Sequence, residues 1–263
     1  MTGFTKENNH MDLNLKDKVA LVTGGSGDLG RAICLSLAAE GVKIAVNYHR
    51  NADKANAVVE EIKSTHGLDA LAVFGDVSNE ADIQEMFRQI EKNFSQVDIL
   101  VNSAAVCPTC QVRDMSEQMW SETIQVNLTG TFLASREMVK HLLDSGRKGR
   151  IINIVSQAAF RGSTTGHAPY DASKGGIVSF TIALAREVAE QGIAVNAVAP
   201  GMILTKMVTK VLKANKEKYL ARIPLHRIAE PEEIANVVTF LASEKTSYMT
   251  GATVDVSGGM LMR

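Results

Sequence analysis

The segment Val19-Ala20-Leu21-Val22-Thr23-Gly24-Gly25-Ser26-Gly27-Asp28-Leu29-Gly30 joins a short apolar run to a glycine-rich turn and then to an amphipathic stretch. A buried strand that leads through glycines into a helix is typical of α/β proteins that bind dinucleotides. Glycines permit the tight turn, and the N–H groups at the helix N-terminus can bind a pyrophosphate. The alternative is an ordinary glycine-rich connection between a strand and a helix.

Composition sets the broad class of the protein. The 263 residues are 45% hydrophobic and 22% charged, with a formal net charge of −1, which predicts a soluble globular chain with no basic field for nucleic acid. No apolar run is long enough to span a bilayer, and the first residues lack the apolar core of a signal peptide. We expect a flexible extension at 1–14 and a single domain at 15–263. Three cysteines form no disulfide framework, which favours the cytoplasm.

Short β-branched runs alternate with longer amphipathic stretches along the chain. The predicted strands are Val19–Thr23, Lys43–Asn47, Asp69–Gly75, Val97–Asn102, Arg150–Val155, Ala194–Ala199 and Thr253–Val256. The predicted helices are Leu29–Glu40, Ala52–His66, Glu80–Phe94, Ser116–Leu143, Tyr170–Glu190 and Glu232–Ser243. Strands that are apolar throughout indicate a parallel sheet buried on both faces. The pattern predicts an α/β fold with one doubly wound parallel sheet of Rossmann type and helices on both faces.

Tyr170 and Lys174 are spaced one helical turn apart, so that the phenol and the ammonium share one face of a helix. A cation beside a tyrosine favours the phenolate and lowers the tyrosine's pKa toward neutral pH. Such a tyrosine can transfer protons in catalysis. The alternative is a half-buried tyrosine beside a solvated lysine.

The end of the second predicted strand bears on the choice of cofactor. The segment Val46-Asn47-Tyr48-His49-Arg50-Asn51 holds no carboxylate, where NAD-binding proteins carry one for the ribose. A carboxylate would repel a 2′-phosphate, and an arginine would bind it. Arg50 therefore favours NADP(H) over NAD(H), unless it is simply a solvated loop cation.

Together these motifs resemble the short-chain dehydrogenase/reductase family from about Leu13 to Met262. The resemblance implies that Tyr170 is the general acid in reduction and the general base in oxidation, and that Lys174 lowers its pKa and binds the nicotinamide ribose. It further implies that Ser156 hydrogen-bonds the substrate carbonyl and that Asn127 holds a water that connects Lys174 to solvent. The implied cofactor-binding residues are Thr23, Gly24, Ser26, Gly27, Asp28, Leu29, Gly30, Tyr48, Arg50, Asp76, Val77, Asn102, Ala104, Tyr170, Lys174, Pro200, Gly201, Ile203 and Thr205.

Within the family the chain is most similar to bacterial 3-oxoacyl-(acyl carrier protein) reductases, through segments such as 149–154 and 185–189. In those enzymes two surface arginines meet the acidic carrier. One is matched by Arg147, and the other position holds Gln191. The function expected is an NADP(H)-dependent oxidoreductase that interconverts a ketone and a secondary alcohol and resembles 3-oxoacyl-thioester reductases. The alternatives are a sugar or polyol dehydrogenase with the same machinery and a non-catalytic dinucleotide-sensing protein.

Four residues, Cys107, Gln157, His167 and Met202, are expected to flank a small carbonyl or alcohol substrate. Cys107 and Cys110 form a CxxC pair, for which loop residues lining a pocket are favoured over a redox pair or zinc ligands, and no metal is expected. Asp28 stands where the family has its middle motif glycine. It could repel the pyrophosphate, cap the first helix or pair with Arg31.

A homotetramer is also expected. The helices Ser116–Leu143 and Tyr170–Glu190 resemble the family's four-helix interface and carry more apolar residues than one sheet face needs: Phe132, Leu133, Val178, Phe180 and Ile182.

Overall fold

One parallel sheet organises the chain, whose computed structural model describes residues 11–205 and 216–262. Its strands are β1 (Val19–Thr23), β2 (Lys43–Tyr48), β3 (Ala70–Phe74), β4 (Ile99–Asn102), β5 (Gly149–Ile154), β6 (Ile193–Pro200) and β7 (Thr253–Val256). Their order in the sheet is β3-β2-β1-β4-β5-β6-β7, and every neighbouring pair is parallel. The predicted fold class is confirmed.

Helices cover both faces of this sheet. They are α1 (Asp28–Ala39), α2 (Ala52–His66), α3 (Glu80–Phe94), α4 (Glu117–Ile124), α5 (Gly130–Asp144), α6 (Ala158–Arg161), α7 (Ala168–Val188) and α8 (Pro231–Ala242). Apolar residues of α1, α2 and α8 pack in one core cluster, and those of α3, α5 and α7 pack in a second. Along β1, Ala20 and Val22 join the first cluster and Val19 and Leu21 join the second, because successive side chains point to opposite faces.

Element boundaries agree with the sequence within two residues at most positions. β1, β7, α2 and α3 have the predicted bounds, and α7 begins at Ala168 because Pro169 is accommodated in a first helical turn. Residues 1–10 of the expected flexible extension lie outside the described residues. Among the described residues, no helix has both the length and the apolar character needed to cross a bilayer.

The prediction of one continuous helix over Ser116–Leu143 is wrong in one respect. A π-helical turn at Gln125–Thr129 separates α4 from α5. Hydrophobic periodicity does not reveal such a turn, because one extra residue barely alters the apolar stripe. Its effect is local: it holds Asn127 fully buried, and π-bulges of this kind are frequent at functional sites.

The strand order reverses beside β1, whose neighbours are β2 and β4. In open α/β sheets, ligands bind at the carboxyl ends of the strands near such a reversal. Here the Thr23 hydroxyl accepts hydrogen bonds from the backbone N–H groups of Ser103 (3.0 Å) and Ala104 (3.2 Å), which follow β4. A Cβ atom at Gly24 would lie 2.9 Å from the Cα of Ala104, so only glycine lets the two turns approach this closely.

Candidate active site

The glycine turn after β1 has the shape that a pyrophosphate needs. Gly24 adopts a left-handed conformation (φ +64°) and its carbonyl accepts a hydrogen bond from the Gly27 N–H at 3.0 Å. Gly30 packs so closely that a Cβ atom would collide with the Gly24 carbonyl. No side chain caps the N-terminus of α1 at Gly27, so the helix start is suited to an anion. Ser26 is partly exposed in this turn, and Asp28 opens the helix.

The loops after β2 and β3 meet beside this turn, where the sequence predicts the adenine end of the cofactor. Tyr48 ends β2 and its ring packs edge-on against Phe74, with centroids 5.9 Å apart. His49 lies 3.5 Å from the Asp76 carboxylate, and Arg50 is exposed. Burial raises the pKa of Asp76, but hydrogen bonds from Ser78 together with the His49 and Arg50 charges outweigh it and lower that pKa overall. The predicted nucleotide residues here are therefore assembled around one ionised carboxylate.

The remaining predicted cofactor residues fall into two groups. The Asn102 side chain faces inward and donates to Ser135 Oγ (3.0 Å) and Asn153 Oδ1 (2.9 Å), so only its backbone is available to a ligand. Leu29 packs against the first core cluster, which likewise leaves its backbone. The others lie along the carboxyl edge of the sheet: Val77, Ala104, Pro200, Gly201, Ile203 and Thr205.

Ser156, Tyr170 and Lys174 come together at the carboxyl end of β5. Tyr170 lies in the first turn of α7, and its hydroxyl is hydrogen-bonded to the Ser156 side chain. Lys174 is 2% exposed, its Nζ lies 5.6 Å from the centroid of the Tyr170 ring, and it donates a 2.6 Å hydrogen bond to the Ile154 carbonyl. The structure thus assembles three of the four side chains predicted to be catalytic.

Burial dominates the electrostatics of this cluster. Burial raises the pKa of Tyr170 above its ordinary value, Cys107 and Asp171 raise it further, and the Ser156 hydrogen bond offsets only part of the increase. Burial also lowers the pKa of Lys174 to about 8. The raised pKa of Tyr170 is a net effect that burial dominates, and a one-turn spacing does not reveal burial. That Lys174 lowers the pKa of Tyr170 in the working site stays a prediction.

Asn127, the fourth predicted catalytic residue, connects two parts of the site. Its Oδ1 accepts from the Val106 N–H at 2.8 Å, and its Nδ2 donates to the Val106 carbonyl at 2.9 Å and to Ser173 Oγ at 3.1 Å. Ser173 in turn donates to the Tyr170 carbonyl at 2.7 Å. The side chain of Asn127 thereby ties the loop after β4 to the helix that carries Tyr170.

Two predicted substrate residues lie on that loop and at the start of α7. Cys107 Sγ is 3.5 Å from His167 Nδ1, which donates to the Pro108 carbonyl at 3.0 Å. Burial and the Asp171 charge raise the pKa of Cys107 to about 11 against the opposing effect of Lys174, so the thiol stays protonated at neutral pH. All three cysteines are free. No group of three or more metal-ligating side chains occurs within 11–205 and 216–262.

The other two residues predicted to flank the substrate, Gln157 and Met202, follow β5 and β6. Gln157 follows Ser156, and its N–H donates to the Pro200 carbonyl at 2.9 Å. Its side-chain oxygen is buried without a hydrogen-bond partner. Met202 follows β6, where its carbonyl accepts from the Ala229 N–H at 3.1 Å.

Comparison with known proteins places this geometry in a family. A family model described as enoyl-(acyl carrier protein) reductase matches residues 25–261. A 3-oxoacyl-[acyl-carrier-protein] reductase of Staphylococcus epidermidis is 43% identical over 246 residues, which cover 94% of this chain and all of that protein. The chain belongs to the short-chain dehydrogenase/reductase family. The resemblance noted from the motifs is confirmed.

Solved structures of this short-chain dehydrogenase/reductase family share the whole fold. A short-chain type dehydrogenase/reductase from Mycobacterium marinum is 30% identical, with a TM-score of 0.91 and coverage of 96% of this chain and 98% of that one. A putative gluconate dehydrogenase from Agrobacterium tumefaciens is 34% identical, with a TM-score of 0.90 and coverage of 97% and 100%. The chain is therefore a member of an oxidoreductase family along its length.

Asn47 is a buried residue beside the glycine turn that the sequence analysis did not single out. It lies in β2, is 2% exposed and bonds to the backbone on both sides of its strand. The available signal was one amide directly after the apolar residues 44–46 of a strand that ends beside the glycine turn.

Proposed function

We propose that this protein is an NADP(H)-dependent oxidoreductase that reduces a 3-oxoacyl thioester to the 3-hydroxyacyl thioester. The observation that carries the proposal is the cluster of Ser156, Tyr170 and buried Lys174 beside an uncapped glycine turn at one edge of the sheet. The substrate class follows from the relative of 43% identity, which is named a 3-oxoacyl-[acyl-carrier-protein] reductase and is covered completely.

Each side chain of the cluster has a distinct role in this scheme. The nicotinamide cofactor, when bound, supplies the hydride. Ser156 donates a hydrogen bond to the ketone oxygen, where negative charge develops, and Tyr170 delivers the proton to that oxygen. Lys174 contributes a positive charge below about pH 8 and the hydrogen bond that fixes its own position on Ile154. Asn127 positions the loop that faces Tyr170.

The raised pKa of Tyr170 keeps the phenol protonated, which is the form that donates a proton in reduction. A general acid must be protonated before the reaction, and a tyrosine with a raised pKa stays protonated throughout the neutral range. Oxidation needs the phenolate, which burial disfavours until a positive charge enters the site. A non-catalytic dinucleotide sensor is disfavoured by the same cluster, because binding alone does not require a tyrosine hydroxyl hydrogen-bonded to Ser156.

NADP(H) is the cofactor we propose. Tyr48, His49 and Arg50 at the end of β2 present no carboxylate, and Arg50 is exposed and free to reach a 2′-phosphate. The Asp76 carboxylate of this corner is already engaged, since it accepts hydrogen bonds from the Ser78 N–H (2.9 Å) and hydroxyl (2.6 Å) and lies 3.5 Å from His49.

Acyl carrier protein is a less well supported partner than the thioester itself. Arg147 forms an ion pair with the buried Asp98, so the guanidinium of Arg147 is engaged inside the protein. Asp98 also accepts a hydrogen bond from the Val19 N–H at 2.9 Å. The second carrier position, Gln191, has no charge. We therefore propose that the enzyme recognises the acyl thioester chiefly at the active site, and that it works in the cytoplasm, where its three free thiols remain reduced.

A sugar or polyol dehydrogenase is the second candidate. The buried oxygen of Gln157 lacks a donor, and His167 adds a further polar group, both of which would suit a substrate with several hydroxyl groups. The similarity to the putative gluconate dehydrogenase points the same way.

Steady-state turnover separates the two candidates. Acetoacetyl-coenzyme A with NADPH is expected to give the highest kcat/KM, and gluconate, sorbitol and their keto forms with either nicotinamide are expected to give at least tenfold less, which corresponds to ~1.4 kcal/mol in transition-state binding. The opposite ranking would establish the second candidate. No turnover with either group of substrates would refute the proposed reaction.

We also propose a homotetramer. Phe132 and Ile182 are 40% and 42% exposed on α5 and α7, and Phe132 packs edge-on against Phe180 with ring centroids 6.1 Å apart. Leu133, expected at the same surface, is instead buried in the second core cluster, and Val178 is partly buried in a smaller one. A tetramer mass by light scattering at micromolar protein supports the proposal, and a monomer mass refutes it.

A further inference from the structure

Asn47 is a buried polar residue that follows the buried apolar residues Ile44, Ala45 and Val46 of β2. Both of its neighbours along β2 face the core, and Val46 is fully buried. A buried amide is unfavourable unless its donors and acceptor are all engaged. The partners of this side chain therefore indicate why an amide stands here.

The side chain of Asn47 bridges the ends of three adjacent strands. Its Oδ1 accepts from the Gly24 N–H at 3.0 Å, and its Nδ2 donates to the Gly75 carbonyl at 3.0 Å. Gly24 opens the glycine turn after β1, and Gly75 immediately precedes Asp76 after β3. Further neighbours of Nδ2 are Met86 Sδ at 2.9 Å and the carbonyls of Tyr48 and Val73, each at 3.4 Å.

On the β1 side of β2, the Asn47 amide bonds to the chain where the ladder between the strands stops. The β1–β2 register extends to Val22 opposite Val46, and beyond it the chain turns away at Gly24, whose N–H donates to Asn47 Oδ1. On the β3 side the ladder continues to Tyr48 opposite Phe74, and the Gly75 N–H donates to the Tyr48 carbonyl at 3.0 Å. There Asn47 Nδ2 adds a second hydrogen bond, to the Gly75 carbonyl. The Asn47 side chain thereby joins the glycine turn to the segment that leads into Asp76.

We propose that Asn47 is a positioning residue for the dinucleotide. It holds the turn that receives the pyrophosphate and the loop beside the adenine in their binding arrangement before the cofactor arrives. The proposal rests on the dinucleotide site proposed above. Fixing two loops in advance removes an ordering penalty that binding would otherwise include. Because both loops serve the part of the cofactor that NADPH and NADH share, removal of Asn47 weakens both complexes equally.

Asn196 supplies a matched control. It is likewise a buried strand asparagine, 1% exposed, in β6, and it makes two backbone hydrogen bonds: its Nδ2 donates to the Met249 carbonyl (2.9 Å) and its Oδ1 accepts from the Ala252 N–H (3.0 Å). Its partners lead into β7, away from the glycine turn. Asn47→Ala and Asn196→Ala therefore remove the same chemistry from two places.

The experiment measures dissociation constants for NADPH and NADH by fluorescence titration, together with Tm without cofactor, for wild type and both variants. Both variants are expected to have a lower Tm than wild type. Asn47→Ala is expected to raise both dissociation constants on the order of tenfold with their ratio unchanged, and Asn196→Ala to leave them within twofold. Unchanged constants in folded Asn47→Ala, or an equal rise in Asn196→Ala, would overturn the proposal. So would a change confined to NADPH, since that would assign the effect to the 2′-phosphate end.

A second measurement does not depend on a variant that folds. In wild-type protein without cofactor, hydrogen exchange at the Gly24 amide is expected to be slowed to the level of the neighbouring β1 amides, because Asn47 holds it. Exchange at the rate of an open loop would overturn the proposal. Tighter binding of NADH than NADPH by wild type would refute the NADP(H) preference alone, whereas binding of neither dinucleotide would refute the proposed function and this proposal together.

Discussion

Replacing Lys174 by methionine should stabilise the folded protein at neutral pH while abolishing its function. Lys174 is 2% exposed, and its pKa falls from 10.5 in the unfolded chain to about 8 in the folded one through burial. Methionine has a similar length and no charge. The change therefore removes the burial of an ammonium group and leaves the shape of the side chain nearly intact.

The magnitude follows from the two pKa values. Between pH 8 and 10.5 the unfolded lysine holds a proton that the folded lysine has released, so stability rises with pH in this window. Below pH 8 the folded lysine is charged too, and its full penalty applies, about 3 kcal/mol at 1.36 kcal/mol per pKa unit. The loss of the 2.6 Å hydrogen bond to Ile154 offsets roughly 1 kcal/mol of the gain, independently of pH.

Urea unfolding of cofactor-free wild type and Lys174→Met at fixed protein concentration, from pH 6.5 to 10, measures the difference directly. We expect the variant to be more stable by roughly 2 kcal/mol at pH 7, with the advantage disappearing as pH approaches 10. Cofactor binding should be weakened in the same variant. A stability difference that does not vary with pH would refute the burial argument, and a variant less stable than wild type at pH 7 would show that Lys174 is held by favourable contacts.

Variants at two further residues, Arg50 and Asp28, test the cofactor site. Arg50→Ala should weaken NADPH binding about tenfold and leave NADH binding unchanged. Arg88→Ala, on the exposed side of α3, serves as the control. Equal NADPH affinities of wild type and Arg50→Ala would contradict the NADP(H) assignment. Asp28→Gly should tighten cofactor binding several-fold at low ionic strength, since like charges at an exposed site repel by on the order of 1 kcal/mol, and the gain should shrink as salt rises. Asp28→Asn should give part of that gain, whereas weaker binding in both Asp28 variants would show that the carboxylate supports the site.

Most of the fold was predictable because it follows from local patterns. Strands that are apolar on both faces and helices with one apolar stripe encode a covered parallel sheet, and β1 was delimited correctly by its glycine turn. The π-helical turn around Asn127 was not predictable in this way. The Asn127 amide in this turn bonds to Val106, which is remote in the sequence, and tertiary contacts of this kind leave no periodic signal.

The sequence predicts which residues form the site better than it predicts their pKa values and contacts. The spacing of Tyr170 and Lys174 predicted their proximity but not the direction of the pKa of Tyr170, because that direction depends on burial by surrounding elements. Arg147 matched a surface cation by position, yet the fold turns it toward the buried Asp98. Asn47 passed unnoticed because one amide in a strand carries no motif, and only its partners at Gly24 and Gly75 give it meaning.

The role of Tyr170 as proton donor is tested by the turnover of acetoacetyl-coenzyme A with NADPH by wild type and Tyr170→Phe, alongside NADPH titration of both. Phenylalanine keeps the ring and removes the hydroxyl that is bonded to Ser156. We expect kcat to fall by ~10²-fold or more while NADPH affinity stays within a few-fold, since the hydroxyl transfers the proton and does not hold the cofactor. A variant that retains more than about a tenth of wild-type kcat would contradict the assignment of Tyr170 as the proton donor.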